Sequence, residues 1–271
     1  MSLDLHLLWD FSRPDKSEQR FREALAQARG DEALVLRTQI ARTYGLRREF
    51  AQARELLARI ADEVSIAGSE VRARHALESG RTYASAAHPS EDLTPEACAQ
   101  ARTHFRHALD LAREHGHDAL AIDALHMFAF LDTAPEDQLR WAHAALEVAE
   151  GSRDPAAKRW EASLRNNAGY ALHQQGRFAE ALLEFERALA LRQRADDAGA
   201  TRVAQWMVAW TLRSLGRSEE ALTQQLQLAE ACEAAGEPDL YVFEELELLY
   251  RERGDVIRAA EVAARKQELS R

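Results

Sequence analysis

Side chains suited to ligand binding recur 40 residues apart in this sequence. Within each group the spacing is i, i+4 and i+7, which places the members on one face of a helix. The groups are Asn166, Tyr170 and His173, followed by Trp206, Trp210 and Arg213. Asn amides pair with peptide backbone, aromatic rings offer rigid contact area, and Arg grips carboxylates. The pattern therefore predicts binding of an extended peptide.

The same register extends this candidate peptide-binding set along the chain. It adds Arg251, Arg81, Arg74 and Arg42. Two alternatives stay open. Trp206 and Trp210 can instead pack between adjacent helix pairs, and the arginines can form a solvated face with i, i+4 ion pairs.

An internal repeat carries this register. Gly176-Arg177 and Gly216-Arg217 are each followed by two further residues, an acidic residue and then Ala-Leu. Alanines at the equivalent position are spaced by 48, 41, 39, 40 and 38 residues, and they are Ala53, Ala101, Ala142, Ala181, Ala221 and Ala259. A period of this length indicates a repeat architecture.

Each repeat is predicted to be a pair of helices. Gly (12) and Pro (6) are scarce for 271 residues, and the apolar residues follow a helical stripe. One pair cannot bury both of its faces, whereas stacked pairs can. We therefore predict an all-α, right-handed α-solenoid of about six helical hairpins. An N-terminal arm and an extra helix (1–29) precede the solenoid (30–271), whose approximate repeats are 30–64, 69–116, 117–151, 155–194, 198–235 and 238–270.

The repeat resembles the tetratricopeptide repeat (TPR). The resemblance is carried by Asn166-Asn167-Ala168-Gly169, Gly176-Arg177-Phe178, Ala181, Phe185 and Ala188. The period near 40, rather than about 34, is similar to that of kinesin light chains and bacterial peptide-sensing regulators. The resemblance implies a concave groove that holds peptides, with Asn166 and Asn167 in the place of groove asparagines. In the last copy, Glu247 departs from the small residue expected where the helices cross.

The segment before the repeats is apolar and aromatic. Trp9 and Phe11 follow several leucines, beginning at Leu3. Ser12 as N-cap and Pro14 in the first turn predict a helix over about 14–29. The arm either covers the apolar face of the first repeat or docks a partner, such as a second copy of the chain.

Histidines concentrate in the middle of the chain. Eight of the ten are His75, His88, His104, His107, His115, His117, His126 and His143. Their spacing leaves open a metal site or a pH-responsive cluster. No HExxH or ExxH pattern accompanies them, so we interpret them as scattered surface and packing residues and expect no metal and no cofactor.

Composition narrows the function further. A net charge of −10 argues against a protein that coats nucleic acid or anionic membranes. There are two distant cysteines, no secretory signal and no apolar run of about 18 residues. Motifs of nucleotide binding, serine hydrolysis and zinc proteolysis are absent. We therefore expect a cytoplasmic, bacterial, non-enzymatic scaffold for a protein or peptide ligand, with a homodimer as a further candidate assembly.

Two other functions remain open at this stage. A peptide-responsive signalling receptor would resemble the bacterial regulators, although only 29 residues precede the repeats, too few for a helix-turn-helix module. A metal-binding protein or enzyme would use the histidine-rich middle region.

Overall fold

The computed structural model describes residues 4–270, which are helical throughout apart from turns and loops. Residues 1–3, including the first leucine of the predicted arm, and residue 271 lie outside the described range. The chain divides into two compact units, Met1–Trp160 and Glu161–Arg271. Among residues 4–270, no helix combines the length and apolarity needed to cross a bilayer.

Unit 1 begins with a short 3-10 helix, Leu5–Leu8, and then continues with α-helices. These are α1 (Pro14–Leu25), α2 (Gly30–Leu46), α3 (Phe50–Ser65), α4 (Ser69–Arg81), α5 (Pro95–Glu114), α6 (Asp118–Leu131), α7 (Pro135–Gly151) and the single turn α8 (Pro155–Lys158). The pairs α2–α3, α4–α5 and α6–α7 form antiparallel hairpins, and α2 also packs on α4.

Unit 2 contains three further hairpins. Its helices are α9 (Glu161–Gln174), α10 (Phe178–Arg194), α11 (Ala198–Ser214), α12 (Ser218–Ala234), α13 (Leu240–Glu252) and α14 (Val256–Leu269). Helix α11 packs on α10, α12 and α13. Over the described residues, the predicted all-α architecture of six helical hairpins after an arm and an extra helix is confirmed.

The repeat alanines are where the helices of each hairpin touch. All six, from Ala53 to Ala259, are buried. Gly176 turns the chain between α9 and α10 with a φ of 73°, a conformation in which a Cβ is disfavoured. Arg48 occupies the equivalent turn of the first hairpin with a φ of 63°.

Glu247, the residue that departs from the TPR pattern, is buried in the last hairpin. Its two carboxylate oxygens pair with Lys266 Nζ at 2.8 Å and with Arg251 Nη2 at 2.5 Å. A carboxylate is therefore accommodated at this crossing because both of its oxygens are paired with cations.

The arm seals the first hairpin. Trp9 packs with Phe21, Leu36 and Ile40, and its Nε1 donates to Gln39 Oε1 at 3.1 Å. Phe11 stacks on Trp9 with ring centroids 4.6 Å apart but stays 57% exposed.

The predicted cap of α1 is wrong. Ser12 Oγ donates to Asp10 Oδ1, whereas the buried Ser17 hydroxyl accepts the backbone N–H of Asp10. Helix α1 also ends at Leu25 rather than near residue 29, and Gly30, at a φ of 55°, begins α2.

Candidate functional site

Unit 2 presents a continuous set of rings from the first helices of its three hairpins. This aromatic surface consists of Tyr170, His173, Trp206, Trp210 and Tyr241. Its centre is Trp210, whose ring stacks on His173 at 3.4 Å and on Trp206 at 5.5 Å between centroids. Tyr170 stacks on Trp210 at 6.2 Å, and Tyr241 meets Trp206 edge to face at 6.1 Å.

Helix periodicity positions these rings. Trp206 and Trp210 are one turn apart on α11, and Tyr170 and His173 share a face of α9. Tyr170 is 44% exposed and Tyr241 66% exposed, while the two tryptophans and His173 are half-buried. Solvent therefore reaches the outer rings, and the inner rings form a rigid base beneath them.

Two polar groups beside these rings have unused hydrogen-bonding capacity. The Nε1 of Trp206 is buried and has no partner among the described residues. The half-buried amide of Asn166 makes no hydrogen bond with another residue in the described range. Asn167, next to it, is half-buried and has partners of its own. The surface thus offers apolar area and, at Asn166, an amide, while the Trp206 indole N–H lies buried beneath it.

His173 is held in its neutral form. Its Nε2 lies 2.9 Å from Ser214 Oγ. Burial, and to a smaller extent the positive charge of the nearby Arg213, lower the pKa of His173 to about 4. At neutral pH the ring is therefore an uncharged stacking platform for Trp210.

The predicted arginines of unit 2 are engaged within the chain. Arg213 donates from Nε and Nη2 to both carboxylate oxygens of the buried Glu245, at 2.7 and 2.9 Å, and its Nη1 reaches Glu252 at 3.4 Å. Arg251 is exposed and pairs with Glu247. Arg213 therefore supports the surface rather than presenting an open guanidinium.

The remaining predicted arginines lie in unit 1. Arg74 pairs with Glu70 of the same helix at 2.8 Å. Arg81 is buried and bonds to Glu78 at 2.6 Å and to Asp123. Arg42 lies at 3.6 Å from Asp123 and makes no hydrogen bond with any described residue. Of the three, Arg42 keeps its donors available.

The sequence analysis did not identify Tyr241 of the aromatic surface, nor Glu78 and Asp123, which pair with the arginines of unit 1. Tyr241 lies on the same helix as Arg251, which the repeat register includes, so that signal was available. Glu78 lies three residues before Arg81, which the register also includes. Asp123 falls in a repeat whose match to the pattern is weak, so no register identified it.

The histidines of the middle region are dispersed by the fold. His88 stacks on Phe50 at 3.7 Å, His104 stacks on Tyr83 at 5.8 Å, and His126 lies edge to face on Phe130. Burial lowers the pKa of each of the three. Within the described part of the chain, no three His, Cys, Asp or Glu side chains converge on a common point.

Comparison with protein-family models supports the repeat pattern. Residues 160–238 match the family model of the tetratricopeptide repeat. This part of the chain is similar to the tetratricopeptide repeat. No curated protein sequence is significantly similar to the chain.

Solved structures share the TPR fold with the whole chain. The apo form of RapI has a TM-score of 0.73 and 10% identity, over 97% of this chain and 74% of RapI. Aspartyl phosphate phosphatase F from Bacillus subtilis has a TM-score of 0.59 and 15% identity, over 100% and 85%. NprR in complex with its cognate peptide NprX has a TM-score of 0.56 and 12% identity, over 98% and 77%. At these identities the likeness establishes the fold, and the predicted TPR resemblance is confirmed.

Proposed function

We propose that this protein is a non-enzymatic TPR scaffold that binds an extended peptide segment of a partner on the aromatic surface of unit 2. The observation that carries the proposal is a set of five rings in mutual contact, two of them exposed, with the Asn166 amide one helical turn before Tyr170. Stacked aromatic rings supply large contact area with little loss of side-chain entropy on binding. Exposed ring clusters of this kind mark interaction sites on soluble proteins.

The chemistry of the surface defines the segment it would take. Aromatic or aliphatic side chains would lie against Tyr170, Trp210 and Tyr241. The Asn166 amide would bond the peptide backbone. Because Arg213 is already neutralised by Glu245, acidic side chains gain little here, and we expect an uncharged, aromatic or aliphatic segment.

The fold comparison supports this proposal in one respect. NprR, which shares the fold, has been solved with its cognate peptide. For this chain we place the peptide on named residues of unit 2, within a cytoplasmic bacterial protein. A peptide-responsive regulatory receptor is the alternative, in which the same binding step would also change the conformation of the protein.

Peptide display on the immobilised full-length protein tests the proposal. Enriched peptides would be synthesised, and their Kd measured by calorimetry and by tryptophan fluorescence. Trp210→Ala removes the central ring, and Tyr170→Ala removes an exposed one. Leu183→Ala on α10, where Leu183 is 54% exposed and lies outside the aromatic surface, is the matched control. Circular dichroism and the thermal midpoint would verify folding.

We expect Kd to rise by about thirtyfold for Trp210→Ala, as for a binding hot spot, and to stay unchanged for Leu183→Ala. Enriched peptides that bind folded Trp210→Ala and Tyr170→Ala as tightly as wild type would move the site elsewhere. Display that enriches no peptide would overturn the function itself. A peptide-induced change in small-angle scattering would favour the receptor alternative over a rigid scaffold.

A further inference from the structure

Unit 1 contains a half-open pocket that the peptide proposal does not use. Its volume is about 180 Å³, and it lies between α2, α4, α6 and the segment after α4. Its walls are largely apolar, with Leu46, Met127, Phe130 and Trp160 among the lining residues. Its polar lining comes chiefly from four charged side chains: Arg42, Glu78, Arg81 and Asp123.

These four charges form a balanced network of two cations and two anions. Arg81 is the centre, bonded to Glu78 Oε1 at 2.6 Å and to Asp123 Oδ1. Burial alone would raise the pKa of Asp123, but Arg81 and Arg42 outweigh it and the net shift is downward. Burial lowers the pKa of the neighbouring His126, so that ring is neutral at pH 7. The site therefore carries no net charge of its own.

Two members of this network have unused capacity. Glu78 is 3% exposed, and its Oε2 has no hydrogen-bond partner among the described residues. Arg42 Nη1 lies 3.6 Å from Asp123 Oδ2 and 3.8 Å from Glu78 Oε1, beyond hydrogen-bond distance. A buried charged acceptor without a donor costs free energy, so its retention in this pocket points to a ligand.

The N-terminal arm holds Arg42 in this position. The guanidinium carbon lies 5.5 Å from the ring centre of Trp9 and 5.4 Å from that of Phe11. Both contacts are within the range of cation–π attraction. The two aromatic rings therefore hold the guanidinium in place without accepting hydrogen bonds from its N–H groups. Those N–H groups can still donate to a carboxylate.

The complementary ligand needs an acceptor for Arg42 and a donor for Glu78. A simple anion would leave Glu78 Oε2 without a donor, and a simple cation would leave Arg42 without a hydrogen-bond acceptor. Either would also add an uncompensated charge to a buried, neutral network. A small zwitterion satisfies both groups and leaves the total charge at zero.

We propose that the unit 1 pocket binds a free α-amino acid with an apolar side chain. Its carboxylate accepts from Arg42, its ammonium donates to Glu78 Oε2, and its side chain lies against Phe130 and Trp160. At about 30 Å³ for each water displaced, a pocket of about 180 Å³ holds a ligand of roughly six water volumes. That size fits an amino acid better than a folded or multi-residue segment.

Calorimetry on the full-length protein tests the ligand class. The probe is L-leucine, and the controls are 4-methylpentanoate, which lacks the ammonium, and L-leucinamide, which lacks the carboxylate. We expect L-leucine to bind and both analogues to bind at least about tenfold more weakly, since each loses a charge-assisted hydrogen bond. Equal binding by either analogue would overturn the zwitterion assignment. Absence of heat and of thermal stabilisation with L-leucine, L-methionine and L-phenylalanine alike would overturn the site.

Variants test the residues. Arg42→Gln should weaken L-leucine binding by about tenfold or more, and Arg37→Gln, on the same helix but outside the pocket, should leave it unchanged. Phe130→Ala changes a partly exposed wall residue and provides a second variant with little risk to folding. We expect it to weaken L-leucine binding severalfold while L-alanine binding stays constant. Unaltered L-leucine affinity in folded Arg42→Gln protein would contradict the proposal.

Discussion

A Cβ added to Gly169 would lie 2.7 Å from Cε1 of Phe185. Phe185 is fully buried on α10, so its ring has little room to move away. The two helices of this hairpin therefore approach closely because one residue has no side chain. Gly80 and Phe105 repeat the relationship between α4 and α5.

We predict that Gly169→Ala destabilises the protein. A methyl group at this contact overpacks the hairpin, which costs about 1–3 kcal/mol in the free energy of unfolding. Gly151→Ala is the control, because nothing lies within 4 Å of its added Cβ. There the better helix propensity of Ala should leave stability unchanged or raise it by up to about 1 kcal/mol. Urea unfolding followed by circular dichroism measures both. Equal stability of the two variants would show that the hairpin relaxes around the methyl group.

Much of this hairpin geometry was predictable from the sequence. The repeat register identified Gly169 and Ala181 as small residues at a helix crossing, and local periodicity placed Trp206 and Trp210 on one face of α11. Such inferences succeed because the 3.6-residue period depends only on neighbours in sequence. The helical-hairpin fold, and the shared helix face that carries Trp206 and Trp210, follow from this period.

The pairing of charges was not predictable. Arg42 and Arg81 share a register position, yet Arg81 hydrogen-bonds to two buried carboxylates, whereas Arg42 approaches the same two only to 3.6 and 3.8 Å. That difference depends on Asp123, which lies 42 residues from Arg81, and on Trp9 and Phe11 from the arm. Side-chain partners across such separations are set by the packing of several helices, which a repeat pattern does not specify.

We predict that Arg213 and Glu245 are strongly coupled. Arg213→Met leaves a buried carboxylate without its partner and should cost about 2–3 kcal/mol, while Arg213→Met combined with Glu245→Leu should cost less than the single change. The control is Arg217→Met, which breaks the exposed pair of Arg217 with Glu220 and should change stability by about 0.5 kcal/mol or less. A double-mutant cycle from urea unfolding measures the coupling. Additive costs would mean that Glu245 does not depend on Arg213.

We predict unequal roles for the two aromatic residues of the arm. Trp9 packs on the fully buried Phe21, so Trp9→Ala should lower the free energy of unfolding by about 3 kcal/mol. Phe11 is mostly exposed, so Phe11→Ala should cost less than about 1 kcal/mol. Thermal and urea unfolding of the two variants, side by side, provide the comparison. A larger loss of stability for Phe11→Ala than for Trp9→Ala would mean that Phe11, not Trp9, makes the main stabilising contact of the arm.

The neutral state of His173 predicts a specific dependence of stability on pH. Its folded pKa is about 4, against an ordinary value of 6.5. Between these values the unfolded chain binds a proton that the folded protein excludes, so the free energy of unfolding falls as pH decreases from 6.5 towards 4. Because the ring is partly exposed, solvent screening reduces this contribution to about 1–2 kcal/mol.

Carboxylates titrate in the same range, so the measurement is the difference between wild type and His173→Gln in urea unfolding at a series of pH values. The wild-type curve should be steeper over this window, and the two should run parallel above pH 6.5. Parallel curves throughout would mean that His173 takes up its proton in the folded state at its ordinary pKa, and that its contact with Trp210 tolerates the charge.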